Sequence, residues 1–204
     1  MNNPLLLSSR NPDKVQEFRE ILKSCNITLH SMLDFPDLPE TIEDADTIYG
    51  NAIKKAIEGA KQTGMLCLAD DTGMFVNALS GAPGVYSARW AGEKCSYADN
   101  RRKVLMQMES IPDRKAKFET ALALADHNGL ISVVSGIVNG KITDFERGDN
   151  GFGYDSIFEV EGLHKTYAEL DDATKNRISH RGLAIREMLP ILRRILNIPE
   201  LSNL

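Results

Sequence analysis

Apolar residues along the chain occur either in short continuous runs or in stripes with helical spacing. The run Leu5-Leu6-Leu7 predicts a strand. Asn11 and Pro12, which suit the N-cap and the first position of a helix, precede an apolar stripe that predicts the first helix. A second stripe predicts a helix from Thr47 to about Thr63, and the apolar run after Gly64 predicts a buried strand. The chain therefore begins as strand, loop and helix.

The second half of the chain is richer in strand patterns. Residues Lys117–Leu124 and Leu130–Val138 predict two strands joined by a short turn. Asn139-Gly140 is typical of a two-residue hairpin turn and predicts a third strand over Lys141–Phe145. Such a meander is antiparallel, so we expect a mixed central β-sheet with flanking helices rather than a purely parallel sheet. Ser179 is a suitable N-cap for the final helix.

Composition restricts the classes of protein to consider. The chain has 204 residues and no linker that would divide it, so we expect one domain with two lobes over residues 1–204. The net charge of −5 argues against a general binder of nucleic acid or of membrane surfaces. The 3 cysteines lack CxxC spacing and fit a reducing compartment, and no segment reads as a membrane span. We therefore expect a soluble, cytoplasmic protein.

Two adjacent carboxylates, Asp70 and Asp71, follow the predicted buried strand and precede Thr72-Gly73. Buried carboxylates are costly unless a metal, water or partner side chains receive them. In an extended chain the two side chains point to opposite faces, so we expect only one of them to look into a given cleft. A pair of acids at a strand end beside a flexible turn suits Mg²⁺ and phosphate chemistry. The alternative is an acidic turn that merely ends the strand.

The polar residues near the first two predicted helices suggest a phosphate site. Ser9, Asn11 and Lys14 add a hydroxyl, an amide and a positive charge at a helix N-terminus, where free backbone amides commonly bind phosphate. Asn51 and Lys55 are four residues apart on the second helix and therefore share one flank. An ordinary capped helix and a solvated flank account for the same residues without a ligand.

Aromatic and basic residues in the last third of the chain are candidates for contact with a planar ligand. Two glycines surround Phe152 with flexible backbone, and Tyr154 follows them. Either ring can stack on a ligand or pack in the core. His180 and Arg181 begin the final helix, and a pair at such a position usually faces solvent, although the arginine fork can bind a carbonyl or a phosphate.

Six segments taken together resemble the inosine triphosphate pyrophosphatase family. They are Ser9–Lys14, Asn51–Ala56, Ala69–Gly73, Gly81–Arg89, Gly151–Asp155 and Ser179–Arg181, and their order and spacing span nearly the whole chain. Each segment alone is a weak signal, but six in register are a specific match. The resemblance implies an α/β fold with two lobes around a deep substrate cleft. It also implies Mg²⁺-dependent hydrolysis of ITP, dITP and XTP to the monophosphate and pyrophosphate by a homodimer, for which the Pro83–Trp90 loop is a candidate interface.

The resemblance also implies roles for individual residues. Asp71 matches the catalytic acid and a Mg²⁺ ligand, and Glu43 matches a second metal-side acid, with Glu40 as its alternative. Lys14 and Lys55 would neutralise the charge that develops on the phosphates. The implied substrate-binding residues are Ser9, Arg10, Asn11, Pro12, Asp13, Lys14, Lys55, Thr72, Phe152, Gly153, Tyr154, Asp155, Lys175, His180 and Arg181.

Selection of the base follows from the same resemblance. Phe152 would stack on the purine, while Lys175, His180 and Arg181 would contact the base edge. Hypoxanthine and xanthine carry an acceptor oxygen at the 6-position, where adenine carries an amino donor. Donor side chains at that edge would disfavour adenine, because its amine would leave groups unpaired on both sides. Two alternatives stay open: a pyrophosphatase for another modified base, and a catalytically silent nucleotide-binding sensor.

Overall fold

The computed structural model describes residues 4–25 and 27–198, in which helices and strands are joined by loops and short 3-10 turns. The helices are α1 (Pro12–Leu22), α2 (Ile48–Thr63), α3 (Tyr97–Gln107), α4 (Asp172–Ile178) and α5 (His180–Leu196). The strands are β1 (Pro4–Leu7), β2 (Thr28–Ser31), β3 (Leu66–Val76), β4 (Pro83–Gly84), β5 (Lys115–Asp126), β6 (Gly129–Ile142) and β7 (Phe158–Val160). None of these helices is both long enough and apolar enough to cross a membrane.

The strands form one sheet in the order β2-β1-β3-β5-β6-β7, and β4 pairs with β3 outside this path. β1 runs parallel to both β2 and β3. In contrast, β4 is antiparallel to β3, and β7 is antiparallel to β6. Parallel and antiparallel pairs therefore occur in one sheet, which confirms the prediction of an α/β fold with a mixed central sheet.

The chain divides into two units, and one boundary between them lies inside β3, between Asp71 and Thr72. Among the described residues, the first unit contains the chain up to Asp71, Ala121–Ser135 and the chain from Ala184 onward. The second unit contains Thr72–Thr120 and Gly136–Leu183. The assignment of residues 1–204 to one domain with two lobes stays a prediction.

Each unit has its own hydrophobic core. In the first unit the core includes Leu5, Leu7, Val15, Phe18, Leu22, Leu68, Leu122, Leu124, Ile185, Met188 and Leu192. In the second unit it includes Met74, Val104, Met108, Phe118, Ile142, Tyr154, Ile157, Phe158 and Tyr167. Removal of these apolar side chains from water is the main favourable contribution to folding, and it keeps the polar side chains near each core in defined positions.

The predicted helix starts are confirmed by the capping contacts. The Asn11 side chain accepts hydrogen bonds from two backbone amides in the first turn of α1, and Pro12 is the first helical residue. Thr47 caps α2 by accepting a hydrogen bond from a backbone amide in its first turn. At the start of α5, the Ser179 hydroxyl accepts from the backbone N–H of Gly182 at 3.1 Å. Local sequence therefore determines where these helices begin.

The interpretation of Asp70-Asp71 as a strand end is wrong, because β3 continues through both residues and through Thr72-Gly73. Gly73 marks a close approach rather than a hinge. A Cβ atom at Gly73 would lie 2.8 Å from the carbonyl oxygen of Gly84 and 2.8 Å from the Phe75 ring. The strand continues because side chains from α1 and α2 meet the two carboxylates, which offsets the cost of burying them.

The predicted hairpin turn at Asn139-Gly140 is also wrong, because β6 runs through this pair without interruption. Gly140 lies opposite Val160 of β7. A Cβ atom at Gly140 would lie 2.3 Å from the backbone oxygen of Glu159 and 2.6 Å from the Phe158 ring. The glycine therefore permits the close approach of β7. The expected meander of three short strands is replaced by the long β6 and its neighbours.

The packing at Gly140 can be tested by mutation. Gly140→Ala should lower the free energy of unfolding by about 1–3 kcal/mol, because the added methyl group must displace backbone or ring atoms of β7. Asn139→Ala is the matched control, since Asn139 is exposed, and we expect a change within about 0.5 kcal/mol. Denaturant unfolding measures both values. A larger loss for Asn139→Ala than for Gly140→Ala would contradict the continuous strand.

Candidate active site

Six polar side chains of the first unit lie next to one another around β3. This acid–lysine cluster consists of Lys14, Glu43, Asn51, Lys55, Asp70 and Asp71. α1 supplies one lysine, α2 supplies the amide and the other lysine, β3 supplies the two aspartates, and the loop before α2 supplies the glutamate. The structure therefore brings together both lysines and both acids that the resemblance assigns to the phosphate and metal side of the site.

Asp70 pairs with Lys14. The Lys14 Nζ atom lies 3.0 Å from Asp70 Oδ2, and the Asp70 side chain is 0% exposed. The Asn11 side chain accepts hydrogen bonds from the backbone N–H groups of Asp13 and Lys14, which determines where α1 begins and therefore where the lysine side chain starts. Because a charge taken out of water needs a compensating partner, the lysine lowers the cost of placing Asp70 inside the strand.

Asp71 contacts α2 instead. The Asn51 Nδ2 atom donates to Asp71 Oδ2 at 3.0 Å, and Lys55 Nζ lies 3.9 Å from Asp71 Oδ1. The same lysine Nζ atom lies 3.0 Å from Glu43 Oε1. Asn51 and Lys55 act together because a spacing of four residues puts them on one helix face. Both side chains are buried, so the alternative of a solvated flank is wrong.

The environment of the cluster shifts the pKa values of two members. Burial raises the pKa of Asp71, and the nearby lysines, Lys55 foremost, oppose this effect without cancelling it. Burial by itself would lower the pKa of Lys55, but the neighbouring carboxylates, Asp71 foremost, outweigh it and the pKa is raised. Asp71 is therefore a more basic carboxylate than an exposed aspartate, while Lys55 keeps its positive charge.

The first loop is ordered by its own hydrogen bonds. The backbone N–H of Asn11 donates to Ser9 Oγ at 3.2 Å. The amides of Asp13 and Lys14, which could have bound a phosphate, donate to the Asn11 side chain instead. Pro12 is the first residue of α1. The loop therefore supports α1, and its direct contacts with a substrate stay predictions.

Arg10 is directed toward the 32–38 segment. Its guanidinium group donates to three backbone carbonyl oxygens of that segment, at 2.9, 3.2 and 2.6 Å. Arg10 Nε also lies 3.3 Å from Glu40 Oε1. Glu40 is thus paired with Arg10, whereas Glu43 contacts Lys55 in the acid–lysine cluster. Of the two candidate metal-side acids, the structure brings Glu43 to the cluster.

The donor atoms of the cluster suit a magnesium ion. The described residues contain no group of three or more His, Cys, Asp and Glu side chains arranged to hold a metal. However, Mg²⁺ commonly binds through one or two protein carboxylates together with substrate phosphates and water. Glu43 and Asp71 offer two carboxylates that both lie near Lys55 Nζ. These hard oxygen donors fit a magnesium ion that shares its coordination with a phosphate ligand.

A second group of side chains lies in the second unit. This aromatic–basic cluster consists of Thr72, Thr120, Phe152, Asp155, Lys175, His180 and Arg181. Its members come from β3, β5, the loop before β7, α4 and the first turn of α5. The basic residues among them are buried, so the solvent-facing alternative for His180 and Arg181 is wrong.

Phe152 lies on a tightly turned loop that Asp155 closes. Lys175 Nζ donates to Asp155 Oδ2 at 2.6 Å, and the same oxygen accepts from the backbone N–H of Phe152 at 2.9 Å. Gly151 has a φ of 74°, and a Cβ atom there would lie 2.1 Å from Asp155 Oδ2. Lys175 Nζ is 4.8 Å and Arg181 Cζ 5.9 Å from the centre of the Phe152 ring. The ring is therefore held beside two cations.

Two further predicted residues support this loop. Tyr154 is buried in the core of the second unit, and its hydroxyl donates to the carbonyl oxygen of Ser87 at 2.7 Å. Burial raises the pKa of Tyr154, so its hydroxyl stays protonated. Gly153 has a φ of 60°, and its carbonyl oxygen accepts from Arg101 Nη1 at 2.9 Å. Contact of either residue with a substrate stays a prediction.

Sequence reasoning gave no role to Thr120 and no partner to Asp70. Thr120 follows Glu119 in β5 and precedes the apolar run from Ala121 to Ala125, so the local sequence carried no signal that singles it out. The alternation of the two aspartates predicts only that one of them looks into a given cleft, and the pairing of Asp70 with Lys14 could not be inferred because the two residues are far apart in the chain. Both are placed by tertiary contacts.

The pairing of Asp70 with Lys14 leads to a stability prediction. Lys14→Met should lower the free energy of unfolding by about 3 kcal/mol, because it removes the cation paired with a buried carboxylate. Lys54→Met is the matched control: Lys54 Nζ lies 2.7 Å from the exposed Asp44, so its loss should stay within about 1 kcal/mol. Chemical denaturation compares the two variants. Equal losses would mean that Lys14 contributes no more than a surface pair.

Comparison with known proteins identifies the family. Residues 5–191 match the Ham1 family. The dITP/XTP pyrophosphatase of Desulforamulus reducens is 45% identical over 193 residues, which are 94% of this chain and 96% of that protein. A Ham1 protein structure from Coxiella burnetii is 39% identical with a TM-score of 0.85, covering 95% of this chain and 100% of its own. The Staphylococcus aureus Ham1 structure is 36% identical with a TM-score of 0.83, covering 94% and 99%.

These matches extend over nearly the whole chain, as the six segments of the family resemblance do. Identity of this level over most of both chains, together with the agreement in fold, confirms that resemblance. The chain belongs to the Ham1 family.

Proposed function

We propose that this protein is a Mg²⁺-dependent pyrophosphatase that hydrolyses dITP, ITP and XTP to the monophosphate and pyrophosphate. Membership of the Ham1 family and similarity to the dITP/XTP pyrophosphatase of D. reducens support the proposal. The observation that carries it is the environment of Asp71, a buried carboxylate that accepts from Asn51 and lies beside Lys55. A carboxylate that can act as a base, with a cation and a fixed hydrogen-bond donor next to it, suits hydrolysis of a phosphoanhydride bond.

Asp71 would orient the water that attacks the α-phosphorus. The carboxylate is buried and held by the hydrogen bond from Asn51, so it would be fixed in position to accept the proton of that water. As the water oxygen bonds to the α-phosphorus, the bond from that phosphorus to the bridging oxygen breaks, and pyrophosphate leaves. Lys14 and Lys55 would neutralise charge on the phosphates and on the leaving group. Carboxylates already hold both lysines in place, which reduces the entropy lost when substrate binds.

Glu43 and Asp71 would hold Mg²⁺ together with the substrate phosphates. When bound, the ion supplies charge neutralisation at the phosphate oxygens. Both carboxylates reach the same Lys55 ammonium group, which supports this assignment, because carboxylate oxygens that lie so close together can share one magnesium ion. Glu40 is the weaker candidate, since Arg10 pairs with it.

The aromatic–basic cluster would bind the base. Phe152 would stack on the purine, and Lys175, His180 and Arg181 would face its edge. The lysine and the arginine can only donate hydrogen bonds, so they suit the acceptor oxygen at the 6-position of hypoxanthine or xanthine. An adenine amino group would meet donors there, which leaves polar groups unpaired and disfavours ATP. Burial of both basic residues strengthens this discrimination, because water cannot replace the missing partner.

The proposal extends to a cytoplasmic homodimer that removes deaminated purine nucleotides from the nucleotide pool. The Pro83–Trp90 loop is the candidate interface. Within this loop Tyr86 is exposed, and Arg89 Cζ lies 5.5 Å from the centre of its ring. An exposed aromatic ring beside a guanidinium group is a combination common in protein interfaces.

An assay of products tests the reaction. Purified protein with Mg²⁺ is incubated with equal concentrations of ITP, XTP and ATP, and the release of monophosphate, pyrophosphate and orthophosphate is followed. We expect rapid release of pyrophosphate from ITP and XTP and slow release from ATP. Release of orthophosphate would mean that another bond is attacked. Absence of turnover with all three nucleotides would favour one of the two alternatives, a pyrophosphatase for another modified base or a nucleotide-binding sensor.

Substitution of the proposed base tests its role. Asp71→Asn should lower kcat for ITP by about 10²–10⁴-fold while ITP still binds, because the amide keeps the shape of the side chain but cannot accept the proton. Asp44→Asn is the control: this aspartate lies in the loop before α2, is exposed and contacts Lys54 at 2.7 Å. We expect unchanged activity for the control. Unchanged turnover in Asp71→Asn would remove Asp71 from the mechanism.

A matched pair of glutamate variants tests the metal side. Glu43→Gln should raise the Mg²⁺ concentration required for half-maximal activity by roughly tenfold, because it removes a charged ligand. Glu40→Gln should leave this concentration within about twofold of the wild-type value. Titration of activity with Mg²⁺ at saturating ITP measures both. A larger effect of Glu40→Gln would reverse the assignment of the two acids.

A further inference from the structure

Thr120 connects Thr72 and His180, two residues that the family resemblance assigns to the substrate. Its hydroxyl oxygen lies 2.7 Å from Thr72 Oγ1 and 2.6 Å from His180 Nδ1. Thr120 is completely buried, so water does not compete for these contacts. Arg181 Nη2 donates to the same Thr72 oxygen at 3.3 Å. One side chain of β5 thus links the hydroxyl of β3 to the imidazole at the start of α5.

The strand that carries Thr120 also holds the plane of the imidazole ring. Phe118 stacks on His180 with ring centres 4.6 Å apart and an interplanar angle of 17°. Phe118 and Thr120 are two residues apart, so they project from the same face of β5. Tyr167 meets the edge of the imidazole, with ring centres 6.1 Å apart. β5 therefore determines both the orientation of the ring and the partner of Nδ1.

The number of available protons restricts how these groups can be connected. A threonine hydroxyl has one proton to donate and can accept from others. If Thr120 donates to His180 Nδ1, its contact with Thr72 requires Thr72 to donate to Thr120. In this arrangement the Thr72 oxygen still accepts from Arg181 Nη2 at 3.3 Å. In this arrangement the neutral imidazole carries its proton on Nε2.

The opposite arrangement has different consequences. If Nδ1 carried the proton, it would donate to Thr120, and Nε2 of the neutral ring would be an acceptor. An acceptor at the base edge would suit the amino group of adenine, whereas a donor suits the 6-oxygen of hypoxanthine. The direction of the hydrogen bond made by Thr120 therefore decides which kind of base the histidine favours.

We propose that Thr120 is a positioning residue that keeps His180 as the Nε2–H tautomer, so that the imidazole presents a donor to the 6-oxo group of a deaminated purine. This inference rests on the proposed function, in which His180 contacts the base edge. Thr120 would act through its contacts of 2.7 Å with Thr72 Oγ1 and 2.6 Å with His180 Nδ1, with Thr72 donating to Thr120 and Thr120 donating to His180.

Three variants test the kinetic consequence. Thr120→Val removes the hydroxyl and keeps the branched shape, whereas Thr120→Ser keeps the hydroxyl. Thr143→Val is the matched control, because Thr143 is a buried threonine of the same unit whose hydroxyl donates to the carbonyl oxygen of Phe145 at 2.7 Å. For each protein, kcat and KM are measured with ITP and with ATP, and thermal unfolding records the stability.

Thr120→Val should reduce the ratio of kcat/KM for ITP to that for ATP by about tenfold, mainly through a higher KM for ITP. Thr120→Ser should restore the ratio to within about twofold of the wild-type value, and Thr143→Val should leave it unchanged. A merely structural role would lower stability and activity with both nucleotides without changing their ratio. An unchanged ratio in Thr120→Val would overturn the inference while the pyrophosphatase assignment stands.

A spectroscopic measurement tests the tautomer without turnover. The chain has 4 histidines, and the ¹⁵N signals of His180 are assigned by their loss in His180→Gln. The imidazole ¹⁵N shifts should show Nε2–H in the wild-type protein and a changed tautomer population in Thr120→Val. Nδ1–H in the wild-type protein, or no change in a folded Thr120→Val, would overturn the role of Thr120. The tautomer of the wild-type protein is measured without turnover and without the variant. It therefore tests the inference even if the wild-type protein releases no pyrophosphate or if Thr120→Val does not fold.

Discussion

Asp70 and Asp71 place two carboxylates in the interior of a strand whose neighbours are core residues, and the surrounding structure has to compensate for both. Alternation along β3 sends successive side chains to different neighbours, so that Lys14 of α1 meets one carboxylate and α2 meets the other. Neither helix can be displaced without leaving a charge in a medium that solvates it poorly. The positions of α1 and α2 relative to β3 are therefore constrained by electrostatics as well as by apolar packing.

The lysines that compensate the buried carboxylates also give the first unit fixed positive charges that suit a polyanionic ligand. Lys55 already lies beside Glu43 and Asp71, and the carboxylates raise its pKa despite burial. Fixed charges of this kind are more effective than mobile ones, because they need no reordering when charge develops on a bound phosphate. Stability and reactivity consequently depend on one set of side chains, so that substitutions in the acid–lysine cluster affect both.

The second unit uses a similar principle for a different purpose. Asp155 binds Lys175 and the backbone of Phe152 through one oxygen, which holds an aromatic ring and a cation in a fixed relation. Gly151 is required there because any Cβ atom would collide with that carboxylate. The basic side chains are buried and mainly donate hydrogen bonds, so the cluster favours acceptor atoms over donor atoms in a planar ligand. The cluster is therefore selective because a donor group of the ligand would find no acceptor among these buried basic side chains.

Local sequence was sufficient for much of the fold. Helix starts at Asn11-Pro12 and Thr47 follow from capping chemistry, and the mixed sheet follows from the strand patterns. The motifs identified both lysines of the acid–lysine cluster and the residues Asp155 and Lys175. Local sequence gave the wrong prediction where the structural role of a residue depends on a neighbour that is distant in the chain. Asn139-Gly140 has the composition of a turn, but the Phe158 ring and the Glu159 backbone explain the glycine.

The sequence by itself thus determined the class of fold, the helix starts and the types of side chain available for chemistry, because these depend on periodicity, capping and residue identity. Only the tertiary structure decided that β3 continues through its two carboxylates, that Glu43 rather than Glu40 meets Lys55, and that Thr120 joins Thr72 to His180. Each of these depends on side chains far apart in the chain. Their contacts form only when packing of the sheet and helices brings them within hydrogen-bonding distance.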